Sequence, residues 1–126
     1  ADYTQHTFTD ANWLGRIDGQ AVTINAGGSS KAVLDLTGRR FIPYAIEPSL
    51  GIDLTVTLGT KTWTGQHMTV NKRFASGKVD IVIPVGIAVY DRSNVRQTAT
   101  TLAISPTGAV DRFRLEKINA TEWIIT

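Results

Sequence analysis

The stretch Ile52-Asp53-Leu54-Thr55-Val56-Thr57-Leu58 decides the fold class. Apolar side chains stand at every second position, with Asp53, Thr55 and Thr57 between them. Successive side chains of an extended chain point to opposite faces. The segment therefore presents one apolar and one polar face, as half-buried antiparallel strands do. Val22-Thr23-Ile24 and Phe113-Arg114-Leu115 repeat the pattern over shorter stretches. Residues 79–89 differ. Val79, Ile81, Ile83, Val85, Ile87 and Val89 form one apolar row, while Val82 and Ala88 add apolar groups on the other face. Such a run predicts burial on both sides, within a sandwich or against a partner chain. Pro84 and Gly86 interrupt it, which implies an edge position, a bulge or two strands in series.

Working outward, turn signals recur at short intervals: Asp18-Gly19, Gly27-Gly28, Thr37-Gly38, Pro48-Ser49, Gly59, Gly65, Ser76-Gly77, Ser93-Asn94 and Pro106-Thr107-Gly108. Short strands punctuated in this way mark a sandwich or barrel. Threonine is abundant and suits a pleated, half-exposed surface. The expected fold is thus all-β, an antiparallel β-sandwich of jelly-roll-like form, spanning residues 1–126 as one domain. Helical periodicity is missing from every longer window, leaving at most a helical turn at Asp10 to Leu14. No linker or clear internal repeat is visible. The chain opens on Ala1 rather than Met, which suggests a processed product or the C-terminal fragment of a longer chain.

Composition narrows the chemistry. There is no cysteine, so disulfides and thiolate metal sites are excluded. Lys and Arg number 13 against 11 Asp and Glu, a net charge of +2. That excess is too small for a nucleic-acid binder. No apolar run reaches the ~20 residues of a membrane span. The only histidines are His6 and His67, and no Gly-x-Ser-x-Gly elbow is present, so no acid–base–nucleophile set can be assembled. Two separated histidines do not make a zinc site. Asp91-Arg92-Ser93-Asn94 reads as a turn rather than a calcium loop. No catalytic residue, metal ligand or cofactor is expected.

Aromatic residues give the best functional signal. Trp63 lies in Gly59-Thr60-Lys61-Thr62-Trp63-Thr64-Gly65, a polar, glycine-bounded, hairpin-like segment where a ring can stand exposed. Flat rings with a polar edge suit sugar faces and interfaces. Tyr44 sits between Pro43 and Pro48, and Tyr90 stands beside a polar loop at the end of the long apolar run. His67 alternates with Met68 and so faces solvent or a rim. Arg92, paired with Arg96, completes the candidate ligand-binding set of Trp63, Tyr90, Tyr44, His67 and Arg92. Trp13 and Trp123 are expected to pack. Arg112 and Arg114 share a strand face, read as a solvated one.

The chain ends in Val110-Asp111-Arg112-Phe113-Arg114-Leu115-Glu116-Lys117-Ile118-Asn119-Ala120-Thr121-Glu122-Trp123-Ile124-Ile125-Thr126. This is a hairpin, with Phe113 and Leu115 on one strand, Trp123 and Ile125 on the next, and Asn119-Ala120-Thr121 as the turn. A closing hairpin with a lone Trp near the terminus resembles the C-terminal ends of bacteriophage tail-spike and tail-fibre proteins. The resemblance implies a sandwich or jelly-roll-like tip, commonly a homotrimer, on the virion tail. Its role would be attachment to a cell-surface polysaccharide or glycan, or trimerisation. It also implies that hydrolase activity belongs to an upstream β-helix, which is not expected in this chain. The alternatives are a carbohydrate-binding module of a secreted, extracellular enzyme and a purely structural capping or decoration module.

Overall fold

The computed structural model describes residues 6–8, 22–24 and 30–126, with side chains from residue 30 onward. No described segment is helical. The strands in chain order are β1 (His6–Phe8), β2 (Val22–Ile24), β3 (Lys31–Asp35), β4 (Ala45–Pro48), β5 (Asp53–Thr57) and β6 (His67–Lys72). They continue as β7 (Val79–Val82), β8 (Ala88–Tyr90), β9 (Arg96–Thr98), β10 (Thr101–Ser105), β11 (Asp111–Lys117) and β12 (Glu122–Ile125). The proposed helical turn at Asp10 to Leu14, the Gly27-Gly28 connection and Trp13 lie outside the described residues.

The strands form two sheets, ordered β1-β3-β5-β7-β10 and β2-β4-β6-β11-β12-β8-β9. From β1 to β8 the chain alternates between them, one strand to each sheet in turn. Neighbours in this part pair in parallel: β1 with β3, β3 with β5, β5 with β7, β2 with β4, and β4 with β6. The chain is thus wound as a two-sheet coil. His6 lies opposite Ala32, Lys31 opposite Asp53 and Leu54 opposite Val79 in one sheet. Val22 faces Ile46 and Ala45 faces Thr69 in the other, so one turn of the coil takes 22 to 26 residues.

Antiparallel pairing begins only where the winding stops. β10 runs back along β7, β11 runs back along β6, and β12 folds against β11. β8 then pairs in parallel with β12 and antiparallel with β9. The all-β expectation therefore holds, but the sheets are mixed, and the expected wholly antiparallel, jelly-roll-like pairing gives way to a wound half and a folded-back half. The physical reason is that period-two alternation reports only which face is buried. It is the same whether a strand's neighbour runs with it or against it. A repeat that the sequence does not display is present as the turn of the coil.

One apolar core draws on both sheets. Leu34, Leu54, Val56, Val79 and Ile81 come from one side, and Ile46, Met68, Val70, Val89, Phe113, Leu115, Trp123 and Ile125 from the other. β5 follows its sequence pattern, with Leu54 and Val56 buried and Asp53, Thr55 and Thr57 half-buried. The 79–89 run resolves into two strands in series, one per sheet. Gly86, at φ +89°, helps turn the chain between them, and Val85 points outward at 90 % exposure. Of these two strands only β8 is closed on both faces, with Ala88 and Val89 both buried.

Two lysines occupy inward positions. On β6 the inward row runs Met68, Val70, Lys72, and on β11 it runs Phe113, Leu115, Lys117. The Lys72 Nζ donates to the carbonyls of Phe74 (2.8 Å), Ala75 (3.1 Å) and Ala109. The Lys117 Nζ donates to the carbonyls of Thr60 (2.7 Å) and Thr62. Because β6 and β11 are antiparallel, the two ammonium groups sit at opposite ends of the core. Each buried ammonium is satisfied by loop carbonyls, and Lys117 in turn supplies the donor for the buried carbonyl of Thr62.

Candidate ligand-binding site

β3 and β5 are parallel neighbours, so the loops that leave them emerge at the same end of the coil. Loop 36–44 carries Phe41 and Tyr44, and loop 58–66 carries Trp63. All three rings are more than half exposed, at 54 %, 54 % and 56 %. Phe41 and Trp63 meet edge to face, with centroids 4.9 Å apart and planes at 68°. This is a favourable arrangement of ring quadrupoles, and it fixes one ring against the other.

Backbone and buried side chains hold the two loops together. The Thr62 hydroxyl donates to the Arg39 carbonyl (3.1 Å), and the Ile42 N–H donates to the Gln66 side-chain oxygen (3.3 Å). The Gln66 N–H closes a turn on the Trp63 carbonyl (3.2 Å). That turn passes through Gly65 at φ +92°, a conformation costly for any residue with a Cβ. The ladder of β6 and β11 extends into the loop, since the Gly65 N–H reaches the Lys117 carbonyl (2.8 Å) and the Lys117 N–H reaches Gln66 (3.0 Å). Beneath it the Lys117 ammonium grips Thr60 and Thr62. Burial pushes the Lys117 pKa below its ordinary value, because the charged form is the more costly one to remove from water.

The result is an open groove of about 530 Å³ lined by Phe41, Ile42, Tyr44, Trp63, Thr64, Gly65, Gln66 and His67. A second groove of about 390 Å³ continues from it, lined by Tyr44, His67, Thr69, Arg112, Phe113, Arg114 and Thr126. Tyr44 and His67 line both, so the two grooves adjoin along these side chains and make one composite cleft surface. One half is aromatic. The other runs over the outer face of β6 and β11, where Arg114 lies opposite Thr69 and Arg112 opposite Asn71. Arg114 pairs with Glu116 at 3.1 Å. The exposed Arg112 side chain has no ion pair or hydrogen bond among the described residues.

Of the five sequence-selected residues, Trp63, Tyr44 and His67 come together here. Tyr90 and Arg92 do not. Tyr90 lies on β8, two strands beyond β11, and its hydroxyl donates to Glu122 (3.1 Å), which also accepts from Arg96 (3.2 Å). The Asn119 amide, then Arg96 and Tyr90, hold the Glu122 carboxyl below its usual range. Arg92 makes a two-pronged contact with Asp111 (3.0 and 2.6 Å) and stands 5.2 Å from the centroid of the Phe113 ring. Both residues serve the C-terminal half of the fold.

Phe41, Gln66 and Arg112 complete the cleft, with Lys117 buried beneath it, and none of these was selected from sequence. For Lys117 a signal existed: two-residue alternation from Phe113 places it on the inward face. Among the described residues no group of three histidines or carboxylates is placed to hold a metal ion, and no helix is long and apolar enough to cross a membrane. Comparison with protein-family models, curated proteins and solved structures finds no match.

Proposed function

We propose that this chain is a non-catalytic attachment domain that holds a cell-surface glycan in the cleft between Trp63 and Arg114, in the manner of a phage tail-spike or tail-fibre tip. One observation carries the reading: Trp63, Tyr44 and His67, chosen on separate sequence grounds, line one open groove together with Phe41. Exposed rings flanked by Thr64, Gln66 and His67 offer a sugar both an apolar face and hydrogen-bonding partners. The two-sheet body acts in this reading as a sandwich-like support for the loops. Localisation on a virion tail, or otherwise outside the cell, accompanies the same proposal.

Self-association as a homotrimer belongs to it as well. Val85, Leu50 and Val110, at 90 %, 68 % and 65 % exposure, are apolar loop side chains open to such contacts. A carbohydrate-binding module of a secreted enzyme would favour coplanar rings, and the 68° between Phe41 and Trp63 speaks against that arrangement. The test is a glycan array probed with the parent chain and with Trp63→Ala, whose fold is checked by circular dichroism. Binding that Trp63→Ala abolishes is the expected outcome. Silence on the array, or binding indifferent to Trp63, would refute the glycan assignment, and a monomer in light scattering would refute the trimer.

A further inference from the structure

We infer that the saccharide held in this cleft is an acidic one, with its carboxylate on Arg112 and a sugar ring against Tyr44 and Trp63. The inference rests on the glycan reading above and narrows it to a class of ligand. Its basis is the unequal pairing of charges on the outer face of the second sheet. Arg114 is paired with Glu116 at 3.1 Å, and across the sheet Arg73 is paired with Glu47 at 2.9 Å. Arg112 stands between these pairs with no carboxylate of its own among the described residues, yet it lines the groove that adjoins, across Tyr44 and His67, the one lined by Trp63.

A guanidinium presents a planar fork of donors that matches a carboxylate, and the charge-assisted pair is stronger than a hydrogen bond between neutral groups. A neutral sugar in the same place would leave that fork to water. A nucleic acid fits less well. Its phosphates call for a stripe of cations, whereas the arginines of this face alternate with Glu116 and Glu47, and the chain carries only +2 overall.

The experiment is a panel of uronic- and sialic-acid oligosaccharides, each beside its carboxyl-reduced counterpart, with a single-stranded oligonucleotide as the polyanion control. At least one acidic member should bind roughly tenfold more tightly than its reduced form. Arg112→Gln should remove most of that preference while weakening the reduced member far less, and Trp63→Ala should weaken both. Equal binding of acidic and reduced members, lost together in Trp63→Ala, would overturn the acidic assignment and leave the glycan reading standing. Absence of binding to every member would overturn both. So would binding that ignores Trp63→Ala, or that the oligonucleotide matches.

Discussion

Lys117→Met offers the sharpest test of how the cleft is built. Lys117 is 2 % exposed, and its Nζ donates to the carbonyls of Thr60 and Thr62 directly before Trp63. Methionine has similar length and can fill the same channel, so the cavity cost is small. The buried Thr62 carbonyl then loses its donor, at ~1–3 kcal/mol, and the half-buried Thr60 carbonyl loses its own at a smaller cost. Relief from burying an ammonium offsets part of this, since replacing a buried charge by a well-packed apolar group can itself stabilise. The net expectation is a loss of about 2 kcal/mol, or roughly 6–10 °C in Tm. Urea unfolding measures the global loss, and hydrogen exchange at the Gly65, Gln66 and Ile42 amides measures the local one. The pH dependence adds a second signature. The folded pKa of Lys117 lies below the unfolded 10.5, so the unfolded chain binds the extra proton between the two values. Stability from this group therefore rises with pH across that window, is fully present above 10.5, and is lost as pH falls through the folded pKa. The slope should vanish in Lys117→Met. A variant as stable as the parent, with unchanged exchange at the three amides, would refute the claim that this lysine holds the Trp63 loop.

Other perturbations separate backbone from side-chain effects. A Cβ on Gly77, at φ +80°, would sit 2.2 Å from the Ile52 carbonyl oxygen, whereas one on Gly65, at φ +92°, meets nothing within 4 Å. Gly77→Ala should therefore cost more than the ~1 kcal/mol of a left-handed conformation alone, and Gly65→Ala about that amount, both read from urea midpoints. Trp123→Ala should cost ~3–5 kcal/mol in the same assay, because the indole is fully buried in the core shared by both sheets. Acid should weaken the C-terminal half. The Val95 N–H and then the Gln97 amide hold Asp91 below 3.8, and Arg92, Ser105 and the Arg112 N–H outweigh burial to lower Asp111. Such depressed carboxyls contribute stability that is present above their unfolded values and lost as pH falls through the folded ones. Asp91→Asn and Asp111→Asn should each flatten the acid limb of the stability curve measured by urea unfolding.

Much of the local structure is legible in the sequence. The alternation at 52–58 gives β5 and its buried row, Pro84 and Gly86 divide the 79–89 run, and the closing hairpin pairs as β11 with β12. Strand direction is not legible, because pairing partners are set by contacts 22 to 26 residues away that leave no mark on alternation. The unequal connecting loops also hide the coil's period. In the cleft, Trp63 and Tyr44 stand out as rings in polar, Gly- and Pro-bounded loops. Phe41 does not, since Arg40-Phe41-Ile42 reads as readily as core, and its partner Trp63 comes from a different loop. Arg112 looks like any arginine on a solvated face until Arg114 and Arg73 are seen to have taken the neighbouring carboxylates.

The reversal of direction after β7 gives the coil a polarity of growth. On one flank β10 and β11 already occupy the edges of β7 and β6, and each runs backwards, so no further parallel turn can be laid down there. On the opposite flank β1 and β2 are the outermost strands among the described residues and run in the winding direction. Extra parallel turns grafted by design would register on that flank. The folded-back strands act as a lid that stops the stack from lengthening past its final turn.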